Sequence, residues 1–343
     1  MDTVYAEDHN LHGGLLDPRG NEWNESAECP ARANNVLQAI REQSIGKLIL
    51  PTHFADEKIT AIHAPHYVDF LKNVWAEWVE SGETASNARP DTFVGKGMRY
   101  ADTTTIIGKL GRYSFDATSP FVEGSWKAIR TSANIALTAA ELVRGGEPHA
   151  FALCRPPGHH ATVDYCGGYC YLNNTALAVQ SFLDGGARKV AVLDVDYHHG
   201  NGTQSIFYAR NDVMTISLHA DPSVEYPFFL GYADEPGEEK GHGFNINYPM
   251  PFGTAWDTYQ VALQDALQQL RSFSPDVLVI ALGLDTFAGD PTTYFGITTE
   301  DFQRMGSLIS SLGMPKLVVL EGGYSVEHIG ENTLRFLAGI EGS

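Results

Sequence analysis

Short uninterrupted apolar runs alternate with amphipathic stretches of helical length from about residue 148 onward, and this alternation constrains the fold most strongly. Runs of Val, Ile and Leu are typical of strands buried on both faces, as in a parallel sheet covered by helices. We therefore predict an α/β fold: a single domain with a mostly parallel, multi-stranded sheet and helices on both faces. The predicted strands are 149–154, 189–195, 213–219, 276–283 and 316–322, and the predicted helices are 174–183, 256–273 and 299–312.

The first 125 residues are less regular. They predict one further strand at 59–64 and two helices at 31–42 and 67–80. Residues 82–125 are rich in Gly, Ser, Thr, Asp and Arg and show little apolar periodicity. A segment of this length without secondary structure is uncommon in a compact domain and is usually functional or disordered. The sequence thus predicts one domain over residues 1–343 with a long insertion near 82–125.

The charge balance argues against a nucleic-acid partner. The chain has 42 acidic and 23 basic side chains, a formal net charge of −19, whereas nucleic acids are bound mainly by Lys and Arg that neutralise phosphates. A cationic partner suits this charge better. No apolar stretch reaches the length of a membrane span, and the opening MDTVYAEDHN lacks the features of a signal peptide. We therefore expect a cytoplasmic protein without a membrane partner.

Several common enzyme classes lack their motifs in this sequence. It contains no P-loop, no GxGxxG and no GxSxG, so phosphoryl transfer, dinucleotide chemistry and serine hydrolysis are not supported. Four cysteines in a chain of this length do not form a disulfide scaffold, so we expect reduced thiols.

Polar side chains follow four of the predicted strands. RPPGHH (155–160) follows the first, DVDYHH (194–199) closes the second, Asp285 follows the fourth, and EGGY (321–324) ends the fifth. Ligands of open α/β sheets bind at the carboxyl ends of the strands. We therefore expect these four segments to meet in one crevice.

The spacing in DVDYHH predicts a metal site. Side chains two apart on a strand point to the same face, so Asp194, Asp196 and His198 project together. A catalytic zinc site needs three protein ligands and one open position. An isolated Asp after a strand is often a helix N-cap, but the four polar strand ends together favour Asp285 as the third ligand.

The motifs RPPGHH, GGYCYLNN, LDVDYHHGNGTQ, SLH, LGLDTFAGDP and LEGGY, in this order, resemble the arginase/deacetylase superfamily. The resemblance is to zinc-dependent histone deacetylases and bacterial acetylpolyamine amidohydrolases, and it covers essentially the whole chain. The opening AEDHN and the long insertion resemble the acetylpolyamine amidohydrolases in particular. Agreement over many segments is far more specific than one short motif.

The resemblance implies a role for each matching residue. The zinc ligands would be Asp196, His198 and Asp285, and the catalytic residues would be the tandem base and acid His159 and His160 together with the carbonyl-polarising Tyr324. Asp194 and Asn201 match the partners of His159 and His160. A potassium site would use Asp194, Asp196, His198, Ser217 and Leu218. The substrate tunnel would be lined by Gly168, Tyr169 and Tyr226. Independently of the resemblance, Asp116 and Glu123 of the insertion are candidate carboxylates at the tunnel rim.

The residue types fit this chemistry. Two carboxylates offset the charge of zinc, so its water is acidified less than beneath three histidines and a separate base is needed. A carboxylate partner raises the pKa of an imidazole more than an amide does, so we assign His160 as the base and His159 as the cation. Tyr324 follows two glycines that let its turn bend, and it would donate a hydrogen bond to the developing oxyanion.

The implied function is removal of acetyl groups from acetylated polyamines by attack of a metal-bound water on the amide carbonyl. The implied cofactors are one catalytic Zn²⁺, with iron as the alternative, and a structural K⁺. The insertion implies a homodimer with a narrowed entrance, and its large apolar residues are typical of an interface: Phe93, Met98, Tyr100, Tyr113 and Phe115.

Three alternatives are weighed against this function. The first is an acetyl-lysine deacetylase that acts on proteins or peptides. The second is a binuclear manganese ureohydrolase, for which the sequence is short of bridging carboxylates. The third is a catalytically silent scaffold that binds acyl-lysine, against which the intact set of ligands and catalytic residues argues.

Overall fold

The centre of the molecule is an eight-stranded sheet in which every neighbouring pair of strands is parallel. The computed structural model describes residues 1–19 and 22–342. The strands of the sheet are β1 (Asp2–Val4), β4 (Leu48–Ile49), β5 (His149–Ala152), β6 (Val190–Asp194), β7 (Val213–Ala220), β8 (Asn245–Met250), β9 (Val277–Leu282) and β10 (Lys316–Leu320). Their order is β4-β1-β5-β10-β9-β6-β7-β8, and a separate antiparallel pair is formed by β2 (Leu16–Arg19) and β3 (Glu22–Glu25).

Helices cover both faces of this sheet. They are α1 (Pro30–Gln43), α2 (Glu57–Thr60), α3 (Pro65–Glu80), α4 (Ile106–Arg112), α5 (Ser125–Arg144), α6 (Asn174–Asp184), α7 (Asn201–Phe207), α8 (Trp256–Phe273), α9 (Thr299–Ser310) and α10 (Ile329–Glu341). Among the described residues, none of the helices has the length and apolar character needed to cross a membrane.

Two hydrophobic cores lie on opposite faces of the sheet. Helices α3, α5 and α6 contribute to one core, and α1, α8, α9 and α10 contribute to the other. On β6, Val190 and Val192 belong to the first core while Ala191 and Leu193 belong to the second. This alternation explains why the strand reads as an unbroken apolar run, and it confirms the predicted sheet with helices on both faces.

The elements predicted after residue 148 are present. All five strands occur, and the three predicted helices begin at Asn174, Trp256 and Thr299 as expected. The strand predicted at 59–64 is wrong, because α2 and a following turn occupy this stretch. Ile59 and Ile62 are both buried, and their spacing of three residues is helical rather than alternating.

The insertion is not structureless. It contains α4, and the backbones of Ala88 and Phe121 exchange two hydrogen bonds of 2.8 Å. Tyr113 is buried and stacks on Phe70 with ring centroids 4.6 Å apart, so it belongs to the core rather than to an exposed surface. The insertion lacks apolar periodicity because single buried residues such as Tyr113 anchor it to the core. It does not pack through one continuous face of a helix.

The four polar segments meet at one edge of the sheet. They follow β5, β10, β9 and β6, which are four adjacent strands in this order. Parallel strands place all their carboxyl ends on the same edge, so the segments predicted to form a crevice lie next to one another.

A buried ion cluster ties two of these segments to the N-terminal region. Glu28 lies 2.9 Å from Arg32 and 2.8 Å from Arg155, and all three side chains are at most 1% exposed. Arg32 also donates to the carbonyls of Glu321 and Gly323, while Arg155 begins the RPPGHH segment. Burial alone would raise the pKa of Glu28, but Arg155 and Arg32 outweigh it and hold the pKa below its usual value.

Glu28→Gln should lower the free energy of unfolding by about 3–5 kcal/mol, because two buried guanidinium groups lose their shared carboxylate. The pKa of Glu28 is depressed in the folded state. Its contribution is therefore complete above the pKa of the unfolded carboxyl and is lost as the pH falls through the folded value. Chemical denaturation at neutral and at acidic pH should show the difference between native and variant shrinking in acid.

Glu42→Gln, on the exposed side of α1, is the matched control and should change stability by less than about 0.5 kcal/mol. A Glu28→Gln protein as stable as the native chain at neutral pH would contradict this account of the cluster.

Candidate active site

Three residues with metal-ligating atoms converge beyond the ends of β6 and β9. Asp196 and His198 follow β6, and Asp285 follows β9. Their candidate ligand atoms all lie within 4.8 Å of one another. Nδ1 of His198 is 3.1 Å from Oδ2 of Asp285 and 3.4 Å from Oδ1 of Asp196. The three residues predicted as zinc ligands are thus brought together.

The surroundings of these residues fit a divalent cation. Asp196 and Asp285 are fully buried, and neither forms an ion pair with Lys or Arg in the part of the chain that the structure describes. Burial and the charge of Asp196 raise the pKa of Asp285 to about 7. A Cβ at Gly322 would collide with both carboxylates, so only glycine lets the chain approach them. Two carboxylates and one imidazole are a donor set that suits zinc.

The tandem histidines have different partners. Nδ1 of His159 is 3.0 Å from Oδ2 of Asp194, whereas Nδ1 of His160 is 2.7 Å from the amide oxygen of Asn201. The centroids of the two imidazole rings are 4.0 Å apart, and both side chains are buried. Sequence-based reasoning paired these residues in the same way.

The two histidines have opposite pKa shifts. Burial alone would lower the pKa of His159, but the carboxylates of Asp196 and Asp194 raise it to about 10. Burial and the neighbouring His159 lower the pKa of His160 well below its usual value. One imidazole is therefore cationic and the other neutral, which is the arrangement required if His160 is the base.

Tyr324 is held by contacts to its backbone and to its ring. The N–H groups of Tyr324 and Ser325 donate to Oδ2 of Asp290 at 2.5 and 2.9 Å. The guanidinium of Arg32 lies 4.7 Å from the centroid of the Tyr324 ring. Burial raises the pKa of Tyr324 well above its usual value, so the hydroxyl keeps its proton and can donate it in a hydrogen bond.

A cavity of about 140 Å³ borders His160, His198 and Tyr324. It is lined by Thr118, His160, Gly168, Tyr169, His198, Tyr226, Thr292 and Tyr324. Six of these residues were predicted as catalytic, metal-binding or tunnel residues. Thr118 and Thr292 were not, because nothing in their local sequence distinguishes them from other loop threonines.

The two predicted rim carboxylates differ in position. Asp116 contacts the cavity wall: its Oδ2 accepts from the N–H of Gly168 at 2.9 Å and from the hydroxyl of Tyr226 at 2.7 Å. Its Oδ1 accepts twice from Thr118. Glu123 is exposed and is not among the residues that line the cavity.

Of the residues predicted to bind potassium, Asp194, Ser217 and Leu218 lie on the neighbouring strands β6 and β7, and Asp196 and His198 follow β6. Asp194 on β6 pairs in register with Ser217 on β7, and Leu218 follows it. The hydroxyl of Ser217 lies 2.7 Å from Nδ1 of His219. The Asp194 and Ser217 side chains are buried.

A second group of potential ligands surrounds His159. It consists of His159, Cys170 and Glu321, all buried. Burial raises the pKa of the Cys170 thiol well above its usual value. Glu321 already accepts hydrogen bonds from Thr175 and from the backbone of Gly158 and His159, so this group supports the catalytic segment and keeps a neutral thiol.

Sequence reasoning missed the residues that support the catalytic ones. Arg32, Glu28 and Asp17 come from the N-terminal region, and only the fold brings them to this edge, where Oδ2 of Asp17 accepts from the hydroxyl of Tyr169 at 2.6 Å. Asp290 could have been found, since it follows Asp285 closely in the LGLDTFAGDP motif.

Comparison with known proteins shows the family to which the chain belongs. A family profile for the histone deacetylase domain matches residues 26–340. The chain is 49% identical to acetylpolyamine amidohydrolase 1 of Pseudomonas aeruginosa, over 100% of this chain and 99% of that protein. It is 41% identical to the acetylpolyamine amidohydrolase of Mycoplana ramosa over the full length of both. The crystal structure of an acetylpolyamine aminohydrolase from Burkholderia pseudomallei matches with a TM-score of 0.94 at 39% identity, covering 99% of this chain and 98% of that one. The chain therefore belongs to the histone deacetylase family, and it is a hydrolytic enzyme of the amidohydrolase type.

Proposed function

We propose that this enzyme removes acetyl groups from acetylated polyamines in a zinc-dependent hydrolysis. The observation that carries the proposal is that His198 of the candidate metal-ligand group, the neutral imidazole of His160 and the protonated Tyr324 line one cavity. Relatives that match the whole chain are named acetylpolyamine amidohydrolases, which supports polyamines as the substrate class.

Asp196, His198 and Asp285 would hold the zinc ion. When bound, the ion polarises the scissile carbonyl and acidifies a water molecule. The chain keeps the ligand carboxylates in place with backbone donors: the N–H groups of His198 and Gly322 each donate to Asp196 at 2.8 Å. The N–H of Tyr197 donates to Asp285 at 2.9 Å. Such supporting hydrogen bonds orient metal ligands.

His160 is the proposed general base. The amide oxygen of Asn201 accepts from Nδ1 of His160, so Nδ1 carries the hydrogen and Nε2 has the free lone pair. Nε2 would take a proton from the attacking water, and the histidine pair would then return a proton to the leaving amine. Transfers of this kind contribute about 10²–10⁴-fold to rate.

Tyr324 is the proposed donor to the oxygen of the scissile carbonyl. Its backbone is fixed by Asp290 and its ring by Arg32, so little reorganisation is needed when charge develops on that oxygen. A preorganised donor is typically worth about 3–4 kcal/mol of transition-state stabilisation.

A potassium ion beside the zinc site is part of this proposal. Asp194 and Ser217 face each other across β6 and β7, and they would bind the ion together with Asp196, His198 and Leu218. Such an ion would offset part of the buried negative charge.

The insertion is proposed to pair two subunits over the cavity entrance. Phe93, Met98 and Tyr100 are 36%, 65% and 49% exposed, and side chains of this size suit an interface core. Phe115 instead stacks beside Tyr226 with ring centroids 6.1 Å apart. A partner above the entrance would favour slim cationic substrates over acetylated proteins.

The native enzyme should be a dimer and should hydrolyse acetylated diamines and acetylspermidine with a higher kcat/KM than acetyl-lysine peptides. Met98→Asp should give monomers, because it places a charge in the proposed interface, and it should weaken the preference for diamines. Light scattering measures the mass, and steady-state kinetics measures both substrates.

Val261→Asp is the matched control, since Val261 on α8 is 64% exposed and lies outside the insertion; this variant should remain a dimer. A native monomer would contradict the pairing. Peptides hydrolysed as well as diamines by the native enzyme would contradict the substrate class and favour a protein deacetylase.

Tyr324→Phe should lower kcat by about 10²–10³-fold, because it removes only the donor to the carbonyl oxygen. Metal content and melting temperature should stay native, as the ring and its contact with Arg32 are kept. Tyr248→Phe, at a tyrosine that does not line the cavity, is the control. Turnover near the native rate in the Tyr324 variant would show that this assignment is wrong.

A further inference from the structure

Two buried histidines have no part in the proposed chemistry. His199 follows β6 and His219 lies on β7, and both are at most 1% exposed. Their ring centroids are 4.6 Å apart. Nδ1 of His219 lies 2.7 Å from the hydroxyl oxygen of Ser217, so one of these histidines contacts a residue that is proposed to bind potassium.

The hydrogen-bond partners of His219 decide which of its ring nitrogens carries the hydrogen. Nε2 lies 2.8 Å from the carbonyl oxygen of Gly231, and a carbonyl oxygen only accepts, so Nε2 is the donor. Burial disfavours the charged form of an imidazole whose hydrogen-bond partners are all neutral. A neutral imidazole has a single N–H, so Nδ1 is an acceptor.

This tautomer fixes the direction of the Ser217 hydroxyl. Because Nδ1 of His219 accepts, the hydroxyl of Ser217 donates its only hydrogen to it. The two lone pairs of the hydroxyl oxygen are then left for another partner. Oxygen lone pairs are what bind a potassium ion, and Asp194 lies in register with Ser217 on the neighbouring strand.

The Gly231 carbonyl is itself held in place. Gly231 has a φ of 109°, and its N–H donates to Oε2 of Glu235 at 2.9 Å. A Cβ at this position would lie 2.7 Å from Cγ of His199 and 2.9 Å from Nε2 of His219. Only glycine therefore lets the chain approach the two rings and present the acceptor that selects the tautomer.

We propose that His219 is a positioning residue for the monovalent cation site, where it takes the hydrogen of the Ser217 hydroxyl and leaves the oxygen free to bind the ion. This inference rests on the potassium ion of the proposed function. It adds a residue that does not touch the ion and that acts through Ser217.

Two substitutions separate the two nitrogens of His219. In His219→Asn the side-chain oxygen can take the place of Nδ1 and accept from Ser217, whereas in His219→Gln the side-chain nitrogen can take the place of Nε2 and donate to Gly231. Both variants lose the ring that packs against His199. A difference between them in potassium binding therefore reports on the acceptor for Ser217 and not on packing.

Potassium binding is measured on the purified enzyme from the rise in melting temperature as KCl replaces N-methylglucamine chloride at constant ionic strength. The half-saturating potassium concentration should rise by about three- to tenfold in His219→Gln, because one hydrogen bond that orients Ser217 is lost. It should stay within about twofold of native in His219→Asn. His328→Gln is the matched control, since His328 is exposed and its Nδ1 also lies near a serine hydroxyl, that of Ser325 at 3.0 Å; it should bind potassium as the native enzyme does.

A second measurement needs no substitution. Nitrogen NMR of the native enzyme with labelled histidines should show His219 protonated at Nε2 and unprotonated at Nδ1. A hydrogen on Nδ1 would overturn the proposal even if neither variant folded.

The outcomes separate this role from the proposed function. Equal half-saturating concentrations in folded His219→Asn and His219→Gln would overturn the role of His219 alone. A native enzyme whose melting temperature does not respond to potassium would refute the potassium site and the role of His219 with it. Hydrolysis of acetylated diamines by the native enzyme tests the deacetylase function independently of both results.

Discussion

Four buried carboxylates at one edge of a parallel sheet impose the main constraint on this molecule. Asp194, Asp196, Asp285 and Glu321 are each at most 2% exposed, and burial of such charges costs several kcal/mol apiece unless it is compensated. Each of the four accepts at least one backbone N–H, and Gly322 lets the chain come close enough to donate. The negative charge that remains suits a bound cation.

A positive cluster behind the site balances this arrangement. Arg32 and Arg155 share the carboxylate of Glu28, and their remaining N–H groups hold carbonyls of the catalytic segments and of the N-terminal region. The same Arg32 lies against the ring of Tyr324. The same few buried charges thus contact both the N-terminal region and Tyr324, and we expect substitutions in this cluster to change both stability and turnover.

The fold and the core of the site follow from local sequence. Continuous apolar runs reveal the strands, and polar residues at their ends reveal the crevice, because parallel topology fixes where those ends lie. Asp17 and Arg32 could not be found in this way, since their roles depend on contacts with residues far along the chain. The 59–64 segment predicts a strand but forms a helical turn, because a short apolar run does not distinguish a strand from a buried helical turn. For Asp116, the sequence predicts a carboxylate at the rim of the cavity. Its contacts with Gly168 and Tyr226 depend on how the insertion packs, which the sequence does not show.

The central claim is that this edge of the sheet holds a single catalytic metal ion between Asp196, His198 and Asp285. Elemental analysis of the purified protein tests it most directly. About one divalent ion per chain is expected in the native protein, none at this site in Asp285→Ala, and a full complement in Asp257→Asn, an exposed residue at the start of α8. Two catalytic ions per chain, or a native metal content in Asp285→Ala, would contradict the account.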